Sequence, residues 1–123
     1  VQMKILLAED EPFNLIVLEE MIKIFYPQAE VSIAENGAIA FDMLKVNSYD
    51  LLLSDVNMPV MDGYGLIKKI KEELNLEMPS VVVTAFAIQG DKEKLLLSGF
   101  DDYISKPIDM SELQTVLRKY FGD

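Results

Sequence analysis

Three short apolar runs divide the chain, and polar residues follow each of them directly. These runs cover residues 5–8, 51–53 and 81–83. Strands that are buried on both faces of a parallel sheet have this composition. Two further segments, residues 31–34 and 103–105, are less apolar, and the first of them alternates between apolar and polar positions. Their composition predicts half-covered strands at the two edges of the sheet.

Helical spacing is found in the stretches between these strands and after the last one. The predicted helices cover residues 13–25, a segment that opens at Asn36-Gly37, and residues 64–74, 91–98 and 110–121. The first helix should end before Pro27, because proline cannot continue a helix. Its positions at three- and four-residue intervals are Ile16, Val17, Glu20, Met21 and Ile24.

The later helices carry signals at their ends. Gly99 follows the fourth helix, where a left-handed cap is easy for glycine. Asp109 and Glu112 open the fifth helix three residues apart, as in a capping box, with Asp in place of the usual Ser or Thr. Residues 58–63, before the third helix, have the composition of a turn-rich loop.

Strand and helix alternate five times along the 123 residues, which predicts a single flavodoxin-like α/β domain with a doubly wound parallel sheet of the (βα)5 type. The three fully apolar strands belong in the middle of the sheet. Right-handed crossovers then favour the strand order 2-1-3-4-5. In this order the chain reverses direction between the first and third strands, and a ligand site is expected at their carboxyl ends. We expect residues 1–123 to form one domain.

Composition narrows the range of ligands and chemistry. Lys and Arg number 11 and Asp and Glu number 21, so that the formal charge is 11 − 21 = −10, which argues against nucleic acid or an anionic membrane as the direct ligand. The chain has no Cys and no His, which excludes disulfides, thiolate chemistry and imidazole catalysis. No segment approaches the roughly 18 apolar residues of a membrane helix, and we expect a cytoplasmic location.

The residues that follow the apolar strands supply one set of polar groups. In chain order they are Glu9, Asp10, Asp55, Asn57, Thr84 and Lys106. Because the carboxyl ends of parallel strands meet at one edge of a sheet, we expect these groups to converge. Taken singly, each has an ordinary interpretation as a solvated loop, a helix cap, a strand residue or a surface lysine. Their conjunction at successive strand ends indicates a site.

The charges of this set suggest its chemistry. Two carboxylates about 4 Å apart repel by roughly 4 kcal/mol at an effective dielectric constant near 20. Glu9, Asp10 and Asp55 therefore need compensation, from a raised pKa, from Lys106 or from a divalent cation. Mg²⁺ suits such a site because it prefers oxygen ligands and keeps part of its hydration. Asp55 can then accept a phosphoryl group without a general base, with Thr84 donating a hydrogen bond.

Several motifs of the chain resemble the receiver domain of two-component response regulators. The motifs are the acidic pair Glu9-Asp10, residues 51–63 around Asp55, the pair Thr84-Ala85, and residues 99–107 with Lys106-Pro107. Together with the predicted elements, they span nearly the whole chain. The resemblance implies that Asp55 is the phosphoacceptor and that Glu9, Asp10, Asp55 and the backbone carbonyl of Asn57 hold Mg²⁺. Glu9 stands where Asp is more frequent, so that its binding to Mg²⁺ directly or through water is open.

The resemblance also implies how the domain works. Thr84 and Lys106 would contact the phosphoryl group, and Tyr103 would be a switch aromatic that rotates inward when Thr84 moves. The Lys106-Pro107 peptide would be cis. The donor would be a phosphohistidine on a sensor histidine kinase or a histidine phosphotransfer protein. The responding surface would be the fourth helix, fifth strand and fifth helix, which can contact an output domain or a second copy. We further hypothesise that Phe86 restricts the access of water to the acyl phosphate.

Two other functions are open on the residues alone. A haloacid-dehalogenase-like phosphatase also uses an Asp nucleophile, Mg²⁺ and Lys, but its Asp-x-Asp motif follows the first strand, whereas here position 57 is Asn. A pseudo-receiver would use the fold only for contacts, and the full acceptor set argues against it. We expect a signalling module and not a turnover enzyme. The residue sequences of segments 57–64 and 101–108 favour a receiver of a hybrid sensor kinase over a stand-alone regulator.

Overall fold

A parallel sheet of five strands forms the centre of the molecule in the computed structural model, which describes residues 3–85 and 89–122. The strands are β1 (Lys4–Ala8), β2 (Glu30–Ala34), β3 (Leu51–Asp55), β4 (Ser80–Thr84) and β5 (Asp102–Ser105). Their order is β2-β1-β3-β4-β5, and every neighbouring pair is parallel. The predicted order is confirmed, with the three fully apolar strands in the middle and the other two at the edges.

Five α-helices alternate with the strands. They are α1 (Pro12–Phe25), α2 (Gly37–Val46), α3 (Gly63–Lys69), α4 (Gln89–Leu97) and α5 (Met110–Phe121). The predicted third helix is regular only in its first part, because Ile70–Leu74 continues it as a π-helix and the N–H of Asn75 donates to the Ile70 carbonyl at 2.8 Å. Gly99, after α4, has a φ of 119°, as expected for a glycine cap. In the two described ranges, no helix has both the length and the apolar character that crossing a bilayer requires.

The apolar strands are buried on both faces, as their composition predicts. Along β1, Ile5 and Leu7 belong to the core beneath α1 and α5, and Leu6 belongs to the core beneath α2, α3 and α4. Leu53 and Leu52 repeat this division on β3. All five side chains are at most 1% exposed. Buried apolar surface stabilises the fold by roughly 25 cal/mol per Å², so that the central strands are held firmly. The polar groups described below lie at the carboxyl ends of the strands.

The side of helix α1 that packs on the sheet is not the side that carries Ile16 and Ile24. Leu15, Leu18 and Ile22 are buried, whereas Ile16 and Ile24 are 56% and 63% exposed. The existence of the helix is confirmed, but apolar residues occupy more than one of its sides. Spacing alone therefore does not identify the side that the sheet covers.

At the start of α5, the predicted capping role of Asp109 is confirmed, whereas the predicted role of Glu112 is wrong. The Asp109 Oδ1 accepts from the N–H groups of Ser111 and Glu112, at 2.6 and 3.3 Å. In a full capping box the Glu112 carboxylate would accept from the Asp109 N–H. It accepts instead from the N–H of Ser105, at 2.7 Å. Glu112 thus ties the start of α5 to the end of β5, one residue before Lys106.

The packing of α1 can be tested by two substitutions of the same residue type. We expect Ile22→Ala to lower the free energy of unfolding by about 2–5 kcal/mol, because the side chain is fully buried. Ile24→Ala is the matched control and should change it by less than about 0.5 kcal/mol. Urea unfolding followed by circular dichroism measures both. Equal losses in the two variants would contradict this packing.

Candidate functional site

The polar residues predicted from the strand ends lie at the carboxyl edge of the sheet. Glu9 follows β1 directly, Asp55 ends β3, Thr84 ends β4 and Lys106 follows β5 directly. In the strand register Asp55 pairs with Val83, the residue before Thr84. The parallel sheet therefore delivers side chains from four different strands to one rim.

Three carboxylates form the acidic part of this rim. Glu9, Asp10 and Asp55 each offer an oxygen, and these oxygens lie within 4.8 Å of one another. Glu9 is 2% exposed and Asp55 is 8% exposed, whereas Asp10 lies at the surface. Desolvated carboxylates at this separation repel strongly, so that the cluster requires positive charge.

Lys106 supplies part of that charge. Its Nζ lies 2.7 Å from the Glu9 Oε1 and 3.1 Å from the Asp55 Oδ2. Partial burial lowers the pKa of Lys106, but the hydrogen bonds and charges of Glu9 and Asp55 outweigh it and raise the pKa above its usual value of 10.5. The ammonium therefore stays protonated throughout the neutral range and bridges the two buried acids.

Backbone N–H groups orient the same two carboxylates. The Val56 N–H donates to the Asp55 Oδ1 at 2.7 Å, and the Glu11 N–H donates to the Glu9 Oε2 at 3.2 Å. Both oxygens of each acid thus have a protein partner, and each carboxylate is held in one orientation. The sequence contains no signal for these contacts, because every residue except proline carries a backbone N–H.

Gly63 packs closely against the backbone of Asp55 and Val56. Its N–H donates to the Val56 carbonyl at 2.8 Å, and a Cβ at this position would collide with the Asp55 backbone carbonyl. The sequence indicated only a turn-rich loop here. The need for a residue without a side chain becomes visible when α3 is packed against the end of β3.

Asn57 and Thr84 lie beside the acidic rim. They line a cavity of about 320 Å³ together with Tyr64 and Lys94. Thr84 is fully buried, and its carbonyl accepts from the Lys106 N–H at 2.9 Å. Asn57 is exposed in the loop that follows β3.

Tyr103 lies within β5, opposite Val82 of β4. The Lys92 Nζ of α4 lies 4.7 Å from the centre of its ring. The Lys106-Pro107 peptide is cis, as the resemblance implied. Phe86 lies outside the described residues.

The oxygen donors of the rim suit a hard divalent cation. Three carboxylates and one ammonium leave a charge of −3 + 1 = −2 on the cluster. Mg²⁺ prefers oxygen ligands such as carboxylates and backbone carbonyls and retains part of its hydration, so that the residues present fit it.

Comparison with known proteins agrees with this geometry. A family model described as the response regulator receiver domain matches residues 5–118. The chain is 39% identical over 118 residues to the sensor histidine kinase RcsC of Salmonella typhi. This alignment covers 96% of the present chain and 12% of the kinase. The chain thus spans about an eighth of that relative's length. It is also 38% identical over 120 residues to a 14.6 kDa protein of Leptolyngbya boryana, across 97% of this chain and 90% of that protein.

A solved structure extends the comparison to three dimensions. The receiver domain of the sensor histidine kinase PA1611 from Pseudomonas aeruginosa superposes with a TM-score of 0.87 at 35% identity, over the full length of both chains. That crystal structure is described as having a magnesium ion coordinated in its active site cleft.

The bridging role of Lys106 can be tested through stability. In the presence of a chelator, Lys106→Met should lower the free energy of unfolding by about 3 kcal/mol, because it leaves two buried carboxylates without their counter-charge. Saturating Mg²⁺ should recover part of this loss, since the cation takes over the compensation. Urea unfolding with and without Mg²⁺ measures both effects.

The control for this test is Lys119→Met. Lys119 pairs with Asp102 at 3.0 Å, but its side chain is 60% exposed. We expect only a small loss of stability, equal in the two buffers. A loss in Lys106→Met that Mg²⁺ left unchanged would contradict the bridging role.

Proposed function

The chain belongs to the response regulator receiver domains, signalling domains of two-component systems, and on this basis we propose that Asp55 is its phosphoacceptor. One observation carries the proposal: the Lys106 ammonium lies 2.7 and 3.1 Å from carboxylate oxygens of Glu9 and Asp55. This arrangement places the oriented carboxylate of Asp55, the aspartate of the pair, beside a fixed positive charge. We further propose that residues 1–123 form one such domain.

Mg²⁺ is the cofactor that we assign to this site. Its ligands would be Glu9, Asp10, Asp55 and the backbone carbonyl of Asn57. The clustering of the three carboxylate oxygens within 4.8 Å supports this assignment, and so does the magnesium described for the PA1611 receiver. When bound, Mg²⁺ would offset the negative charge of the phosphoryl oxygens.

The side chains then divide the work of phosphoryl transfer. A carboxylate oxygen of Asp55 forms a bond to phosphorus while the phosphorus–nitrogen bond of the donor imidazole breaks, and the imidazole nitrogen keeps the electron pair. The Lys106 ammonium lies beside the Asp55 carboxylate before the transfer. After the transfer it would offset the negative charge of the phosphoryl oxygens. Thr84 would donate its hydroxyl to one of these oxygens. No general base is needed, because a carboxylate attacks phosphorus without losing a proton.

The donor would be a phosphohistidine on a sensor histidine kinase or a histidine phosphotransfer protein. The chain itself has no histidine, so that the donor residue must come from outside these 123 residues. The sensor kinase relatives are consistent with such a partner. We infer a stoichiometric acceptor that carries out Mg²⁺-dependent phosphotransfer to itself and dephosphorylates itself, and not a turnover enzyme.

Neither alternative fits the site as well. In a haloacid-dehalogenase-like phosphatase an Asp-x-Asp motif would follow β1, whereas here Glu9-Asp10-Glu11 follows β1 and the proposed nucleophile Asp55 ends β3. A pseudo-receiver, which uses the fold only for contacts, would not require a lysine that bridges two buried acids.

Chemical phosphorylation tests the acceptor directly. With Mg²⁺ and acetyl phosphate or phosphoramidate, the chain should gain one phosphoryl group, seen in its intact mass as an acid-stable, base-labile adduct. Asp55→Asn should abolish the adduct, and chelation of Mg²⁺ should prevent its formation. Asp42→Asn changes an exposed carboxylate on α2 and is the control. This variant should form the same adduct as the unsubstituted chain. An adduct that persists in Asp55→Asn, or continuous release of phosphate without an adduct, would refute the assignment.

We also propose that phosphorylation changes the surface formed by α4, β5 and α5. Thr84 would move toward the phosphoryl group, and Tyr103 would turn inward in response. Leu96 and Leu97 of α4 are 39% and 89% exposed, which supports a role of this surface in contacts with an output domain or a second copy. Such a switch shifts a two-state equilibrium only by the difference in contacts between its states.

Hydrogen exchange tests this coupling. Adding beryllofluoride and Mg²⁺ should change exchange rates in α4, β5 and α5 as well as at the rim, and mass spectrometry of peptides would locate the change. Thr84→Ala should still bind beryllofluoride at Asp55 but lose the response of the three elements. A response confined to the rim in the unsubstituted chain would contradict the proposed switch.

A further inference from the structure

The loop between β3 and α3 contains a strained turn. This segment, residues 56–62, is called the rim loop below. Val60 has a φ of 67°, which is rare for a β-branched residue. The N–H of Met61 donates to the carbonyl of Pro59 at 2.7 Å, so that the three residues form a γ-turn with a positive central φ. This form of the γ-turn is uncommon because it is strained.

Packing of the Val60 side chain does little to compensate for the strain. The residue is 85% exposed, so that it gains little from packing. Residues in strained conformations persist only when the surrounding structure holds them there. The restraint on Val60 must therefore act through the backbone of its neighbours.

Backbone hydrogen bonds hold the rim loop near both of its ends. At the start, the Val56 carbonyl accepts from the Gly63 N–H at 2.8 Å. At the other end, the Met61 carbonyl accepts from the N–H of Gly37 at 2.9 Å. Gly37 lies far away in the sequence, at the first position of α2. The strained turn is thus held from a different helix.

The contact at Gly37 is close because α2 begins without a side chain. A Cβ at this position would lie 2.5 Å from the Met61 carbonyl oxygen and 3.0 Å from its Cγ. The start of α2 is itself fixed, since the Asn36 side chain accepts from the Ile39 N–H at 2.9 Å. The first turn of α2 therefore acts as a rigid support for the rim loop.

We propose that Gly37 is a positioning residue for the metal site. Through the Met61 carbonyl it holds the strained turn, which begins two residues after Asn57, and the turn restrains the loop segment whose Asn57 carbonyl would be a ligand of Mg²⁺. The start of α2 and the metal site are then energetically coupled. This inference rests on the proposed function, which makes the Asn57 carbonyl a ligand.

Gly37→Ala tests the coupling without changing any metal ligand. The added Cβ displaces the Met61 carbonyl, and Mg²⁺ binding should weaken about tenfold, as for other residues that orient metal ligands. Titration with MgCl₂, followed by the amide NMR signals of the rim loop, gives the affinity. The rise in unfolding midpoint with Mg²⁺ gives a second measure that does not depend on phosphorylation.

Gly65→Ala is the matched control. A Cβ at Gly65 would also meet Met61, but at its flexible Cγ, 3.0 Å away, and not at its carbonyl. We expect Mg²⁺ affinity within about twofold of the unsubstituted chain, because the Met61 side chain can move aside without displacing the turn. A folded Gly37→Ala with unchanged affinity, or equal weakening in both variants, would overturn the proposal.

Val60→Gly keeps the proposal testable if Gly37→Ala does not fold. Glycine accepts the positive φ without strain but gives the loop more conformations. We expect an unfolding midpoint no lower than that of the unsubstituted chain and Mg²⁺ binding weakened about two- to fivefold. Unchanged affinity in this variant would overturn the inference. Failure of the unsubstituted chain to bind Mg²⁺ would instead remove the proposed function on which it rests.

Discussion

The ion pair of Lys106 with Glu9 and Asp55 is the interaction on which the site depends. Glu9 and Asp55 are almost fully buried, and buried carboxylates are costly unless they are paired. The lysine follows the edge strand β5, whereas Glu9 follows β1, with β3 and β4 between them. One ammonium thus connects the carboxyl ends of distant strands. Because it offsets only part of the acidic charge, the rim retains its attraction for a divalent cation.

The orientation of these acids comes from the backbone as much as from side chains. The N–H of Val56 holds Asp55, and the close packing of Gly63 holds the chain directly behind it. The rim loop between them is restrained in turn by α2 through Gly37. Asp55, the rim loop and α2 form one connected arrangement, in which each part limits the freedom of the next. Such support is what gives a reactive group a single geometry.

Prediction succeeded where the pattern has one solution and failed where it has several. The apolar runs of β1, β3 and β4 suit only the middle of a parallel sheet, and the strand order follows from them. Helix α1 has apolar residues on more than one side, so that its buried stripe, with Ile22, was not evident. The sequence predicts that Glu112 completes a capping box with Asp109, but the structure pairs it with the N–H of Ser105. Local spacing does not decide between such partners.

The sequence by itself determined the elements, their order in the sheet and the set of polar residues at the strand ends, because burial and alternation act along the chain. Tertiary structure alone decided that Lys106 joins Glu9 to Asp55 and that Gly37 supports the loop after β3. These contacts link residues that are far apart in the chain. Their distances depend on how the helices pack on the sheet, and no local pattern of residues encodes that packing.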